Sequence, residues 1–169
     1  MNNEETTVFI SDADQYVFGQ GTHYEIYKKL GAHFCKKGNK DGVFFAVWAP
    51  NAKEVFVIGE FNGWDEGATP MKRLGEGGIY ATFVADVEEG QMYKYMLVLA
   101  DGRRLYKADP YANYAEMRPG TASRVYDLNH FTWADKKWMA ERDKKDMNEE
   151  PMAIYECHIG SFMKHPDGT

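Results

Sequence analysis

Val43-Phe44-Phe45-Ala46-Val47-Trp48-Ala49-Pro50-Asn51, then Val55-Phe56-Val57-Ile58-Gly59-Glu60-Phe61-Asn62-Gly63-Trp64-Asp65, decides the fold. In the first run Val43, Phe45 and Val47 alternate with Phe44, Ala46 and Trp48. Both faces are apolar, as in a strand covered on both sides. Pro50-Asn51 ends it. In the second run Val55, Val57 and Gly59 interleave with Phe56 and Ile58, and the strand enters an Asn-Gly turn with Trp64 beside it.

Further strands follow at short intervals. Glu76-Gly77-Gly78 is a turn, and residues 79–84 predict a third strand. Glu89-Gly90 turns into a fourth over 92–99, with Tyr93, Tyr95, Leu97 and Leu99 on one side. Asp101-Gly102 is a hairpin signal. Its partner strand, 103–107, is stopped by Asp109-Pro110, and Arg124-Val125-Tyr126 reads as a last short strand. Short strands with turns between them predict an all-β, immunoglobulin-like β-sandwich over residues 32–128. The Cys–Trp–Cys core of antibody domains is absent.

The flanks differ in character. Residues 1–31 read as a short helical N-terminal preamble whose first ten residues are mobile. Ser11 caps a helix reaching about Phe18. Thr22 and Glu25 form a capping box for a second helix carrying Tyr24, Ile26, Tyr27 and Leu30 and ended by Gly31. Residues 129–151 form a charged linker in which Trp133, Trp138 and Met139 line one side. Residues 152–159 are β-forming and mostly apolar, and predict a buried strand that needs neighbours on both sides. The expectation is a fragment whose residues 152–169 begin a truncated second domain. Residues 152–169, with the orphan strand 152–159, are then expected to be disordered, to fold back or to pair with a second chain in a dimer.

Composition excludes several functions. A net charge of -6 with no basic run argues against nucleic acid. No stretch is apolar enough to span a membrane, and the polar, acidic start lacks a secretory leader, so a cytoplasmic location is expected. Cys35 and Cys157 belong to no C-x-x-C pair and read as buried free thiols. The five histidines are scattered without metal-binding spacing, and no Walker or dinucleotide motif occurs, so no metal and no cofactor are expected.

The candidate chemistry is sugar recognition. An exposed tryptophan offers a flat face for the C–H side of a sugar ring, while neighbouring polar groups bond its hydroxyls. Trp64 is the first candidate, against packing over the sandwich edge. Lys94, between two inward tyrosines, points outward within reach of a sugar hydroxyl, against a solvated strand lysine. Asn62 bonds sugar or supplies the turn geometry. The acids sit at turns or in the charged linker, and no matched pair suits glycoside hydrolysis. His158, near the end of the orphan strand, is a candidate for substrate contact in an intact barrel enzyme.

The chain resembles the N-terminal part of prokaryotic-type 1,4-α-glucan (glycogen) branching enzymes. The motifs are Phe18-Gly19-Gln20-Gly21-Thr22-His23-Tyr24, Phe45-Ala46-Val47-Trp48-Ala49-Pro50-Asn51-Ala52, Gly59-Glu60-Phe61-Asn62-Gly63-Trp64, Tyr93-Lys94-Tyr95, Lys107-Ala108-Asp109-Pro110-Tyr111, Arg118-Pro119-Gly120-Thr121-Ala122-Ser123, and Ile154-Tyr155-Glu156-Cys157-His158. The sandwich motifs are shared with debranching enzymes and with a glycogen-sensing kinase module; the last three are more specific. The resemblance implies a family 48 carbohydrate-binding sandwich before a catalytic (β/α)8 barrel. It also implies an Asp nucleophile and a Glu acid–base in that barrel, outside these residues, so that this fragment has no catalytic residues and no branching activity. The sensing modules use two tryptophans and a lysine; Trp64 and Lys94 match one tryptophan and the lysine, and Tyr106 falls near the second tryptophan. The partners implied are α-glucans such as glycogen and maltooligosaccharides, and the protein's own barrel. Two alternatives stay open: a stand-alone α-glucan-binding module, and the front of a debranching or trehalose-releasing hydrolase.

Overall fold

The computed structural model describes residues 9–146, 149–163 and 165. The chain divides after His130 into two compact units.

The first unit is a β-sandwich. One sheet has four antiparallel strands in the order β1 (Gly31–Lys37), β2 (Lys40–Trp48), β5 (Ile79–Ala85) and β4 (Lys72–Leu74). The other runs β3 (Ala52–Gly59), β6 (Met92–Leu99), β9 (Ser123–Arg124) and β8 (Tyr114–Ala115), with β7 (Arg104–Lys107) also on β6. Tyr93 of β6 pairs with Ser123, whereas Tyr95 to Val98 pair with β7, so Lys94 sits where one partner gives way to the other.

The two apolar faces of β2 have separate uses. Val43, Phe45 and Val47 meet Val55, Val57, Tyr93 and Tyr95 of the facing sheet in the main core. Phe44 and Ala46 point the other way, joining Ile79 and Ala81 under Ile26, Leu30, Phe9 and Phe18. The preamble therefore roofs the four-stranded sheet. Helix α1 (Asp12–Gly19) starts at a capping box in which Ser11 and Asp14 exchange bonds. Asp14 also accepts from Lys29 at 2.8 Å and His23 at 2.9 Å, tying the helix to the chain that follows.

The second expected helix is not formed. Residues 22–23 have no regular structure, 24–25 turn, and a single 3₁₀ turn, Ile26–Lys28, follows. Glu25 pairs with Lys28 at 2.5 Å rather than boxing Thr22. Only Ile26 and Leu30 of this stretch are buried, and one turn is enough to deliver two side chains. Gly31 opens β1 instead of ending a helix. Its φ is 108°, and a Cβ there would lie 2.9 Å from the Tyr111 carbonyl.

In the second unit, α2 (Lys136–Arg142) and α3 (Ile159–Phe162) are the regular elements. The buried strand expected over 152–159 is absent. Residues 151–158 have no regular structure, and Ile154, Tyr155 and Ile159 are exposed. A strand must pair its N–H and C=O groups, and no strand among the described residues runs beside this segment. The truncated barrel start is thus not seen. Cys157 is exposed, against the expectation of a buried thiol, while Cys35 is partly covered and burial raises its pKa. The mobility expected for residues 1–10 falls almost wholly outside the described residues, as do 164 and 166–169 of the expected barrel start.

Candidate functional site

The site is built on the connection that leaves β3. A 3₁₀ turn, Glu60–Asn62, ends in left-handed Gly63 with φ 64°, and Trp64 follows with φ 61°. A bulky residue in that region is strained by about 1–3 kcal/mol and is held there by its surroundings. The Trp64 N–H donates to the Gly59 carbonyl at 2.8 Å.

Asn62 organises the turn. Its Oδ1 accepts from the Gly59 N–H at 2.9 Å; its Nδ2 donates to the Val57 carbonyl at 3.1 Å and to Thr69 Oγ1 at 2.9 Å. Residues 69–71 then run beside β3, with Val57 N–H on the Thr69 carbonyl and Met71 N–H on the Val55 carbonyl. Glu60 accepts from the Met92 N–H at 2.8 Å.

Strand register defines the face over which this loop lies. Val57 and Tyr95 enter the core, so the alternating Ile58, Lys94 and Met96 face outward. Tyr106 lies opposite Met96 and Arg104 opposite Val98. Ile58 and Met96 are 4% and 2% exposed although they face away from the core, as expected beneath a covering loop. Glu66 crosses the face: its carboxylate accepts from Arg104 at 2.5 Å and from the Tyr106 hydroxyl. The Tyr106 hydrogen bond, with Arg104 assisting, holds the Glu66 carboxyl below the usual carboxylate range. Lys94 donates to Thr121 Oγ1 at 2.7 Å. Trp64 is 38% exposed and Tyr106 48%. Two partly open rings among an ammonium, a guanidinium and hydroxyls suit a polyhydroxylated ligand with apolar C–H faces.

Beneath the sheet lies the principal buried acid. Asp109 accepts from the hydroxyls of Tyr93 at 2.6 Å and Tyr95 at 3.1 Å and from the Tyr111 N–H at 2.8 Å. Burial raises its pKa, opposed by those bonds, and burial likewise drives both tyrosines above their ordinary value. With its oxygens engaged by the fold, this acid is a structural group. No cluster of three or more potential metal ligands occurs among the described residues.

The structure thus places Lys94 and Tyr106 on one face, with Trp64 on the loop that leads over it. Asn62 has its amide committed to the Gly59 and Val57 backbone and to the Thr69 hydroxyl. Glu66, Arg104 and Thr121 were not foreseen. Thr121 had a signal, since its run was one of the family motifs; Glu66 had none, because its partners are almost forty residues away in sequence. His158 lies in the second unit, with Nδ1 3.0 Å from Ser161 Oγ.

Residues 29–112 match the family model described as carbohydrate-binding module 48, the isoamylase N-terminal domain. The sandwich belongs to that family. Relatives extend the likeness to most of the chain. A 1,4-alpha-glucan branching enzyme GlgB of Butyrivibrio fibrisolvens is 62% identical over 96% of this chain and 25% of its own length. One from Halothermothrix orenii is 48% identical over 94% of this chain and 25% of its own length. The chain therefore spans about a quarter of these relatives, corresponding to their N-terminal part. Among solved structures, a putative alpha amylase from Salmonella typhimurium shows 26% identity, covering 64% of this chain and 16% of its own, with a TM-score of 0.48. No helix among the described residues is long and apolar enough to cross a membrane.

Proposed function

We propose that the outward face of the five-stranded sheet binds α-glucan, such as glycogen or maltooligosaccharide. Trp64 and Tyr106 stack on sugar rings, Lys94 bonds sugar hydroxyls, and Asn62 holds the turn that presents Trp64. The observation that carries this reading is Trp64 itself: a large aromatic held at positive φ, partly open to solvent, on the loop over the face shared by Lys94 and Tyr106.

The module serves at the front of a cytoplasmic 1,4-α-glucan branching enzyme. There it holds a glucan chain near the catalytic barrel that cleaves α-1,4 links and transfers the segment to a 6-hydroxyl. The names of the relatives support this role, and the catalytic carboxylates belong to the remainder of the longer protein. The chain is organised as a preamble over 1–31, the sandwich over 32–128, a linker over 129–151, and a segment from 152 that joins the barrel. In isolation, the apolar segment 152–159 pairs two copies.

Affinity electrophoresis in native gels with and without glycogen tests the binding reading. Retardation of the wild type, lost in Trp64→Ala, is expected. A folded wild type that glycogen does not retard would overturn it.

A further inference from the structure

We infer that Glu66 is a positioning residue of the glucan-binding face: a strut that fixes the gap between the Trp64 loop and Tyr106. The inference rests on the reading that this face binds glucan.

The loop leaves the sheet at the end of β3 and is fastened there through Asn62, Gly59 and Thr69. Its second fastening is far away. Glu66, two residues beyond Trp64, reaches β7, which lies beyond β6, about 9–10 Å or two strand spacings from β3. One carboxylate oxygen takes the Arg104 guanidinium and the other the Tyr106 hydroxyl. Glu66 and Arg104 also line a groove of ≈ 360 Å³, together with Phe56, Gly67, Met96 and Val98. The loop is thus fastened on its far side by Glu66.

Stability does not account for this arrangement. The Glu66–Arg104 pair is solvent-exposed, and exposed pairs add little to folding. What the carboxylate does is geometric. It stops the Tyr106 side chain from rotating, and it holds the Trp64 loop at a set height above the sheet. Two stacking rings grip a chain of linked sugars only at a matched separation, so ordering them before the ligand arrives lowers the cost of binding. The Tyr106 hydroxyl is committed to Glu66, which leaves the ring face for the ligand.

The test measures maltoheptaose affinity by calorimetry for the wild type, Glu66→Ala, Glu66→Gln, Tyr106→Phe and the double variant Glu66→Ala/Tyr106→Phe, with a thermal melt of each. Glu66→Ala should bind at least fivefold more weakly with an unchanged melting point. Glu66→Gln keeps an acceptor for Tyr106 and should recover most of the affinity. The double variant should be no weaker than Glu66→Ala alone, since Glu66→Ala already releases the Tyr106 hydroxyl. Tyr106→Phe frees the ring from Glu66 while the Glu66–Arg104 pair still holds the loop, so it reads the ring-fixing half of the strut on its own and should bind more weakly than the wild type, though less so than Glu66→Ala. Wild-type affinity in a folded Glu66→Ala, or independent additive losses in the double variant, overturns the strut while the binding face stands; wild-type affinity in Tyr106→Phe overturns its fixing of the ring. Absence of binding by the folded wild type overturns both.

Discussion

The Tyr93 hydroxyl donates to the Asp109 carboxylate across 2.6 Å in a site almost closed to water. Tyr95 uses the same oxygen, so one acid satisfies two buried phenols. Asp109→Ala leaves both hydroxyls without that acceptor. Tyr95 keeps a long bond to the Ala46 carbonyl at 3.4 Å, so chiefly Tyr93 is left unsatisfied, and a loss of about 1–3 kcal/mol is expected from urea unfolding. Asp109→Asn retains an acceptor and should lose clearly less.

Two acids should give opposite pH dependences. At Asp14 burial acts upward, but bonds from Lys29, Ser11 and His23 outweigh it and hold the carboxyl well below the usual carboxylate range. Its contribution is present above the unfolded carboxylate pKa of about 3.9 and is lost as pH falls below it. Asp14→Asn should therefore cost about 2 kcal/mol at pH 7, a charged hydrogen bond's worth, and progressively less below pH 4. Asp109 has the reverse sign. Its pKa is raised, so the folded state retains the proton more strongly and stability falls as pH rises from about 4 through the folded value. Urea midpoints across a pH series, for the wild type and each Asn variant, measure both slopes.

Trp64 separates strain from packing. At φ 61°, glycine is favoured over alanine. Trp64→Gly should be more stable than Trp64→Ala by about 1 kcal/mol, while both lose retardation by glycogen. Equal stability of the two would show that the loop relaxes once the ring is gone.

Asn62→Ala removes three hydrogen bonds from the base of the turn. A loss of about 1–3 kcal/mol is expected, with faster amide exchange at Gly59 and weaker glycogen binding despite an intact Trp64. Tight binding by this variant would mean that the Trp64 loop keeps its shape without its amide clamp.

Legibility in the sequence followed the side chains that alternate. β2, β3, β5 and β6 carry bulky apolar residues at period two, and all were readable. β1 was not: Gly31-Ala32-His33-Phe34-Cys35-Lys36-Lys37 shows no clear alternation, and it is a strand because β2 offers it an edge. β4 and β8 have three and two residues, too few to show any period. The 152–159 segment shows the converse limit: its residues favour a strand, but pairing decides whether one forms. Lys94 was placed outward by alternation alone. Glu66 was invisible because its function lies in a contact across two strands, which no local pattern encodes.

Residues 69–71 lie along β3 before the chain crosses to the other sheet at β4. The β3 edge beside the site is thereby occupied by the chain's own backbone. A neighbouring polypeptide cannot extend the sheet there by adding a strand, the route through which many β-domains capture peptides. At this edge a ligand can be held by side chains and not by an added ladder of backbone hydrogen bonds.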